Sequence, residues 1–321
     1  MDLEIEHPAV EAWIRLRCRD RPGPTTVTCL QERPGSAVYL LSGLGPDGGD
    51  VVAKRARAGE VAIERAIYEE VLPRIGLRGV VACHGSIEAG DEAWIFLAPA
   101  DGTPYSPGDA DHRRLAARWL AALPGPTLKP DLPPRLPEKS PGHYRRLVES
   151  YLDSLDRGMR NLVLAPADRN ALEGAAESLE RLARVWDGVE AGFAESPRTL
   201  VHGDFAAKNM RVEGGELVVF DWGSAARGIP AVDLVQNEPG EDAWVGPDLE
   251  LYAELTADLW RGRDRACLER LAGLGKVLFT LDVFHDAWGL ATVWAGRVAP
   301  KVPVYTKYLR DGMRRAGLDG G

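Results

Sequence analysis

Between residues 25 and 55 the chain alternates short apolar, β-branched runs with turn signals: TTVTCLQE, PGS, AVYLLSG, GPDGGD and VVAKRA. Runs of that length, bounded by Gly, Pro and Asp, predict a three-strand meander. From Gly59 to Ile75 the apolar positions Ile63, Ile67 and Val71 recur at helical spacing, with Val61, Tyr68 and Leu72 beside them, which predicts a helix. The stretches VVACHGSIE and AWIFLAP then read as two further strands.

Three strands, a helix and two strands is the order of an antiparallel sheet carrying one packed helix, not of alternating parallel βα units. After Pro99 the pattern becomes helical, with candidate helices over residues 109–123, 143–158, 167–192, 248–262, 265–291 and 302–316. The expected architecture is therefore α+β, with an N-terminal sheet lobe over residues 1–99 and a mainly helical lobe over 100–321. The proline-rich run PGPTLKPDLPPRLPEKSPG, residues 124–142, suits neither a helix nor a central strand. It reads as a surface connection inside the second lobe.

Composition narrows the function. At 321 residues the chain exceeds the usual size of a single core, which agrees with two lobes. A formal charge of −9 argues against a nucleic-acid partner, whose phosphates call for a broad basic surface. It permits a cationic substrate without requiring one. Cys18, Cys29, Cys83 and Cys267 are far apart, so neither a zinc knuckle nor a dense disulfide frame is implied. The acidic start MDLEIEHPAV lacks the features of a signal peptide, and no apolar run approaches a membrane span. A cytoplasmic enzyme without membrane association is the expectation.

The richest segment is TLVHGDFAAKNMRVEGGELVVFDWG, residues 199–223. Gly214-Gly215 signals a two-residue hairpin loop. That loop pairs Glu213 with Glu216, Val212 with Leu217 and Arg211 with Val218, and sets Asn209 opposite Phe220. Asn209 and Asp221 then emerge together at the open end. An amide carbonyl beside a carboxylate suits magnesium, which takes oxygen ligands and fills its shell with phosphate and water. Asp204, on the loop entering the hairpin, can accept a proton from a hydroxyl approaching the phosphate in line.

HGDFAAKN resembles the HxDxxxxN catalytic loop of the aminoglycoside phosphotransferase and choline kinase-like family, and FDWG resembles that family's metal-binding segment. The resemblance implies a two-lobed protein kinase-like fold. It also implies Asp204 as catalytic base, Asn209 and Asp221 as magnesium ligands, and His202 as structural support of the loop. Asp233, in GIPAVDL, resembles the family aspartate that anchors the catalytic loop. An HxD pair alone occurs in many buried hairpins; the ordered set of His202, Asp204, Asn209, Asp221 and Asp233 carries the reading.

The first lobe supplies a separate check. Alternation in VVAK places Val52 and Lys54 on one face and Val51 and Ala53 on the other. Lys54 resembles the kinase-like strand lysine that contacts nucleotide phosphates. Glu64 shares a helix face with Tyr68 and Leu72, and an inward carboxylate needs a cation, for which Lys54 is the obvious partner. Glu60, Glu69 and Glu70 suit a solvated face instead. In RPGSAVY the backbone N–H groups of Gly35, Ser36 and Ala37 can approach phosphates, although one glycine also makes a plain hairpin turn. Adenine recognition is expected from backbone groups near Leu97, Pro99 and Ala100.

The resemblance implies ATP, with GTP an open alternative, and Mg2+ as cofactors. The acceptor is expected to be a hydroxyl of a small molecule, an antibiotic or a metabolite. A Ser or Thr of a peptide, with a partner protein, is the alternative, and a non-catalytic scaffold is the third reading. Glu238, Glu241, Asp242 and Asp248 either steer a cationic acceptor or form a solvated acidic loop. Asp282 and Asp286, one helical turn apart near Trp288 and Trp294, are further acceptor-site candidates. Lys208 either neutralises transferred phosphate or lies exposed. His7, His84, His112, His143 and His285 show no metal-ligand spacing.

Overall fold

The computed structural model describes residues 7–17, 26–33, 35–124, 132–160, 165–235, 246–260, 264–293 and 302–318, with backbone alone at 47, 158 and 285–293. The first half of the chain contains α1 (Pro8–Arg17), β1 (Val27–Arg33), β2 (Ser36–Leu41), β3 (Val51–Arg57), α2 (Ala58–Ala66), a π-helical turn (Ile67–Val71), α3 (Leu72–Ile75), β4 (Cys83–Ala89), β5 (Glu92–Leu97), β6 (Thr103–Pro104), α4 (Ala110–Ala122) and α5 (Pro141–Met159). The second half contains α6 (Pro166–Arg184), α7 (Trp186–Phe193), β7 (Thr199–Val201), β8 (Met210–Glu213), β9 (Glu216–Val219), β10 (Ala226–Gly228), α8 (Leu249–Leu255), α9 (Arg265–Val293) and α10 (Val302–Arg315). This is the expected α+β architecture, an antiparallel sheet followed by helices. The elements fall into two units. One comprises Met1–Tyr105, Asp131–Leu136 and Ala207–Ala225, and the other Ser106–Pro130, Pro137–Ala206 and Ala226–Gly321.

In the first unit, strand order β1-β2-β3-β5-β4 gives a five-stranded antiparallel sheet. The period-two alternation sorts its faces. Leu41, Val51, Ala53, Trp94 and Phe96 turn toward Ala9, Val10, Ala12 and Trp13 of α1. Helix α1 was not among the elements predicted from the sequence. Trp13 completes its burial by donating its indole N–H to the Leu44 carbonyl at 2.9 Å. Lys54 takes the opposite face, where α2 packs across β3, β4 and β5.

The predicted helix over 59–75 widens into the π turn at Ile67–Val71 before a last helical turn closed by Gly76. Pro73 lies just beyond, and its ring would collide with a carbonyl of a regular preceding turn; a widened turn removes that conflict. Val61, Glu64, Ile67, Tyr68, Val71 and Leu72 remain buried on both sides of the change.

A second small sheet, β6-β8-β9, is built on the Gly214-Gly215 turn, with φ of 58° and 81°. These positive values are the ones that a two-residue hairpin loop requires. Its register pairs Glu213 with Glu216, Val212 with Leu217 and Arg211 with Val218, as the loop predicts. The proline-rich stretch corrects one expectation. Its segment Asp131–Leu136 belongs with the first unit, where Leu132 and Leu136 are buried and Arg135 meets Glu70 at 2.6 Å. Two leucines four residues apart anchor a chain that proline keeps out of regular structure.

The second unit buries Tyr144, Val148, Tyr151 and Leu155 of α5 and Leu172, Leu179 and Leu182 of α6, with Leu268, Leu271, Leu278 and Leu281 of α9. The predicted helix over 167–192 divides at Val185 into α6 and α7. Side chains cap several of its helices: Asp109 accepts from the backbone N–H groups of Asp111 and His112, Ser140 from that of His143, Asp248 from that of Leu251 and Asp264 from that of Cys267. At Gly275, α9 comes so close to the Ala231 carbonyl that a Cβ would overlap it. Only glycine permits that approach.

Candidate active site

In the first unit, β3 presents Lys54 between the pairings Val38–Lys54 and Lys54–Ile95. Its Nζ lies 2.7 Å from Glu64 Oε2 and 2.5 Å from Asp221 Oδ1. Glu64 is fully buried, and its other oxygen, Oε1, accepts the Trp222 backbone N–H at 3.3 Å. One carboxylate therefore ties the strand lysine to the turn after β9. Burial opposes the Lys54 ammonium, but Glu64 and Asp221 outweigh it and hold the pKa well above the usual lysine range. Burial raises the pKa of Glu64, against the opposing pull of Lys54.

Asp221 has φ 69° and ψ 66°, the sole positive φ among the described residues other than glycine. Asp and Asn enter this left-handed region more readily than branched or bulky residues do. At the open end of the hairpin the Phe220 backbone N–H donates to the Asn209 carbonyl at 3.1 Å, and Asn209 is buried. Asn209 and Asp221 thus leave the ladder at one end, and a Cβ placed on Gly223 would stand 3.6 Å from Lys54 Nζ and 3.8 Å from Asp221 Oδ1. An amide and a carboxylate are oxygen donors of the kind that suits a magnesium ion, which needs few protein ligands when phosphate supplies the rest. Among the described residues no group of three or more His, Cys, Asp or Glu side chains gathers as a metal cage.

Gly35, at φ 79°, and Ser36 form the tight turn from β1 into β2, where Arg33 pairs with Ser36. Leu97 ends β5 between Val52 and Cys83, and Pro99 follows, partly exposed.

In the second unit β7 runs directly into His202, which is fully buried. Asp233 is buried beside it and accepts two backbone N–H groups, from His202 at 2.6 Å and Gly203 at 2.9 Å. The next backbone N–H, from Asp204, donates to His202 Nδ1 at 3.3 Å. Phe205 is buried, stacks on Trp119 at 5.4 Å and meets His202 edge-on at 6.1 Å. These contacts fix the loop backbone around Asp204, whose side chain stays partly exposed. Burial raises the pKa of Asp233, opposed by His202, the two N–H donors and Lys139.

Asp282 lies in the second unit and is engaged by two groups: Lys139 Nζ and the Tyr144 hydroxyl each lie 3.0 Å from Oδ2. Sequence reasoning missed Lys139 and Tyr144, because contacts across 143 and 138 residues leave no local pattern. Asp248 caps α8 and meets Arg114 at 3.7 Å. Lys208 is exposed, and Asp286 is described by its backbone only. Glu238, Glu241 and Asp242 lie outside the described residues.

Among solved structures, spectinomycin phosphotransferase in complex with ADP and spectinomycin is 11% identical, covering 91% of this chain and 92% of that chain at a TM-score of 0.59. Choline kinase from Cryptosporidium parvum Iowa II is 9% identical over 92% of this chain and 91% of that chain, TM-score 0.58. Ethanolamine kinase from Plasmodium vivax is 14% identical over 91% of this chain and 80% of that chain, TM-score 0.59. At such identities the likeness is one of fold. No curated protein sequence matches the chain. Residues 36–272, well over half of the chain, match the phosphotransferase enzyme family; the chain belongs to that family.

Proposed function

We propose that the protein is an ATP- and magnesium-dependent O-phosphotransferase acting on a hydroxyl of a small molecule. The observation that carries the reading is the Lys54 ammonium held jointly by Glu64 and Asp221. Glu64 fixes the direction of Lys54, so that its charge is pre-aimed at nucleotide phosphate. The turns at Gly35 and Ser36 and the backbone near Leu97 and Pro99 serve the phosphates and the adenine. Asn209 and Asp221 would hold magnesium, which supplies neutralisation of the charge that develops on the phosphates.

Asp204 takes the proton of the acceptor hydroxyl as its oxygen bonds to the γ-phosphorus. The bond from that phosphorus to the bridging oxygen breaks, and ADP leaves with the electron pair. His202 and Asp233 hold the loop that carries Asp204. We assign the reaction to the cytoplasm, where ATP is at hand; among the described residues no helix is long and apolar enough to cross a membrane.

The test is phosphate transfer from ATP, or GTP, with magnesium to pooled hydroxyl compounds and peptides, read by mass spectrometry. Wild type should modify a small molecule, and Asp204→Asn should lose about 10²–10⁴-fold in rate. Phosphate on peptide alone would move the acceptor to Ser or Thr. No turnover by wild type with any acceptor would leave a nucleotide-binding scaffold.

A further inference from the structure

We propose that Lys139, through its ion pair with Asp282, is a positioning residue for the loop His202–Asp204, an inference that rests on reading Asp204 as the base. Residues 137–139 lie along β10: Arg227 donates its backbone N–H to the Pro137 carbonyl at 2.9 Å, and Lys139 donates its own to the Arg227 carbonyl at 2.9 Å. Strand β10 pairs in turn with β7, Ala226 with Val201, Arg227 with Leu200 and Gly228 with Thr199. Strand β7 continues directly into His202. Lys139 therefore sits one strand away from the strand that carries the loop.

Asp282 approaches the same loop by another route. It lies on α9 seven residues after Gly275, two turns along the same face. Gly275 abuts Ala231, and two residues further on Asp233 holds the His202 and Gly203 N–H groups. The Lys139–Asp282 pair joins the two routes into a closed circuit: strand, loop, Asp233 and helix. Both side chains are mostly buried, at 15% and 16% exposure, and the buried Tyr144 donates to the same Asp282 oxygen. Neither charge is readily replaced by water, so loss of one leaves the other uncompensated. The Lys139 charge also favours the buried Asp233 carboxylate.

The experiment uses the full chain and two readouts. Amide hydrogen exchange over residues 199–206 should accelerate about tenfold in Lys139→Met, as expected for losing roughly one net hydrogen bond, while exchange in α6 stays unchanged. Lys139→Arg should restore protection. Tyr144→Phe, which removes one donor without stranding a charge, should move exchange the same way by a smaller factor and serves if Lys139→Met does not fold. In ATP turnover with magnesium, Lys139→Met should lower kcat with little change in KM for ATP, and Lys139→Arg should recover kcat. Unaltered exchange at 199–206 in folded Lys139→Met, or in Tyr144→Phe should that be the folded variant, overturns the proposal. Accelerated exchange with no turnover by wild type upholds the positioning of the loop and overturns the phosphotransferase reading instead.

Discussion

Lys54 and Asp221 are 167 residues apart in sequence, and their side chains meet at 2.5 Å. The contact brings the strand lysine to a residue in left-handed backbone, at the turn that Glu64 also grips through Trp222 N–H. Lys54 is thus the counter-ion of a buried glutamate and, in the proposed function, the charge aimed at phosphate.

Removing that charge has two separable consequences. Lys54→Met should abolish most phosphate transfer and also lower stability by about 3–5 kcal/mol, because Glu64 is left buried and unpaired. Lys54→Met combined with Glu64→Gln should recover most of the stability and none of the transfer. Urea unfolding beside an ATP assay checks both; full stability in the single variant would show that Glu64 takes up a proton at little cost.

Asp233 gives a pH prediction. Burial raises its folded pKa above the ordinary aspartate value of 3.8, so the folded state holds its proton to higher pH than the unfolded chain does. This group's contribution to stability is therefore largest below pH 3.8 and declines as pH rises through the folded pKa. Relative to Asp233→Asn, wild type should lose part of any advantage as pH rises from acid to neutral. Melting temperatures of the two proteins across that range provide the check, and a constant difference would mean that Asp233 ionises freely.

Lys276 titrates with the opposite consequence. It is buried on α9 with its ammonium 4.8 Å from the Tyr308 ring, and burial brings its pKa down to about 8, partly opposed by Asp311 and reinforced by Arg315, Lys307 and Arg314. Between pH 8 and the ordinary lysine value the unfolded chain binds the proton and the folded one does not, so stability from this group rises with pH. Lys276→Met should stabilise the protein at pH 7 and lose that benefit towards pH 10. Thermal melts of both proteins at the two pH values would decide it.

Gly275 tests the packing beneath the loop. Gly275→Ala places a methyl group against the Ala231 carbonyl, a backbone atom with little room to retreat. The expected cost is about 1–3 kcal/mol from overpacking. The peptide containing Asp233 should exchange faster, whereas Gly214→Ala, at an open turn, should leave that peptide unchanged.

Much of this was legible in the sequence for local reasons. Gly214-Gly215 fixes the register of β8 and β9, which brings Asn209 and Asp221 to one end, and alternation alone turns Lys54 away from Ala53. Glu64 followed from an inward helix face that needed a cation. Helix α1 escaped because its single apolar stripe, Ala9, Val10, Ala12 and Trp13, gains meaning only from the sheet face that covers it. The π turn reflects a conflict at Pro73 that averaged helical spacing conceals. Leu132, Leu136 and Lys139 lie in a stretch where proline removes all periodicity, so their partners are set by tertiary structure alone.

The first unit draws on three separated stretches of chain, Met1–Tyr105, Asp131–Leu136 and Ala207–Ala225. It is therefore no exchangeable cassette. A chimera joined at Tyr105 would take Lys54 and Glu64 from one parent and Asp221 and Trp222 from the other. Recombination within the family would succeed only where both parents agree on that four-residue handshake, or where a second crossover carries the hairpin along.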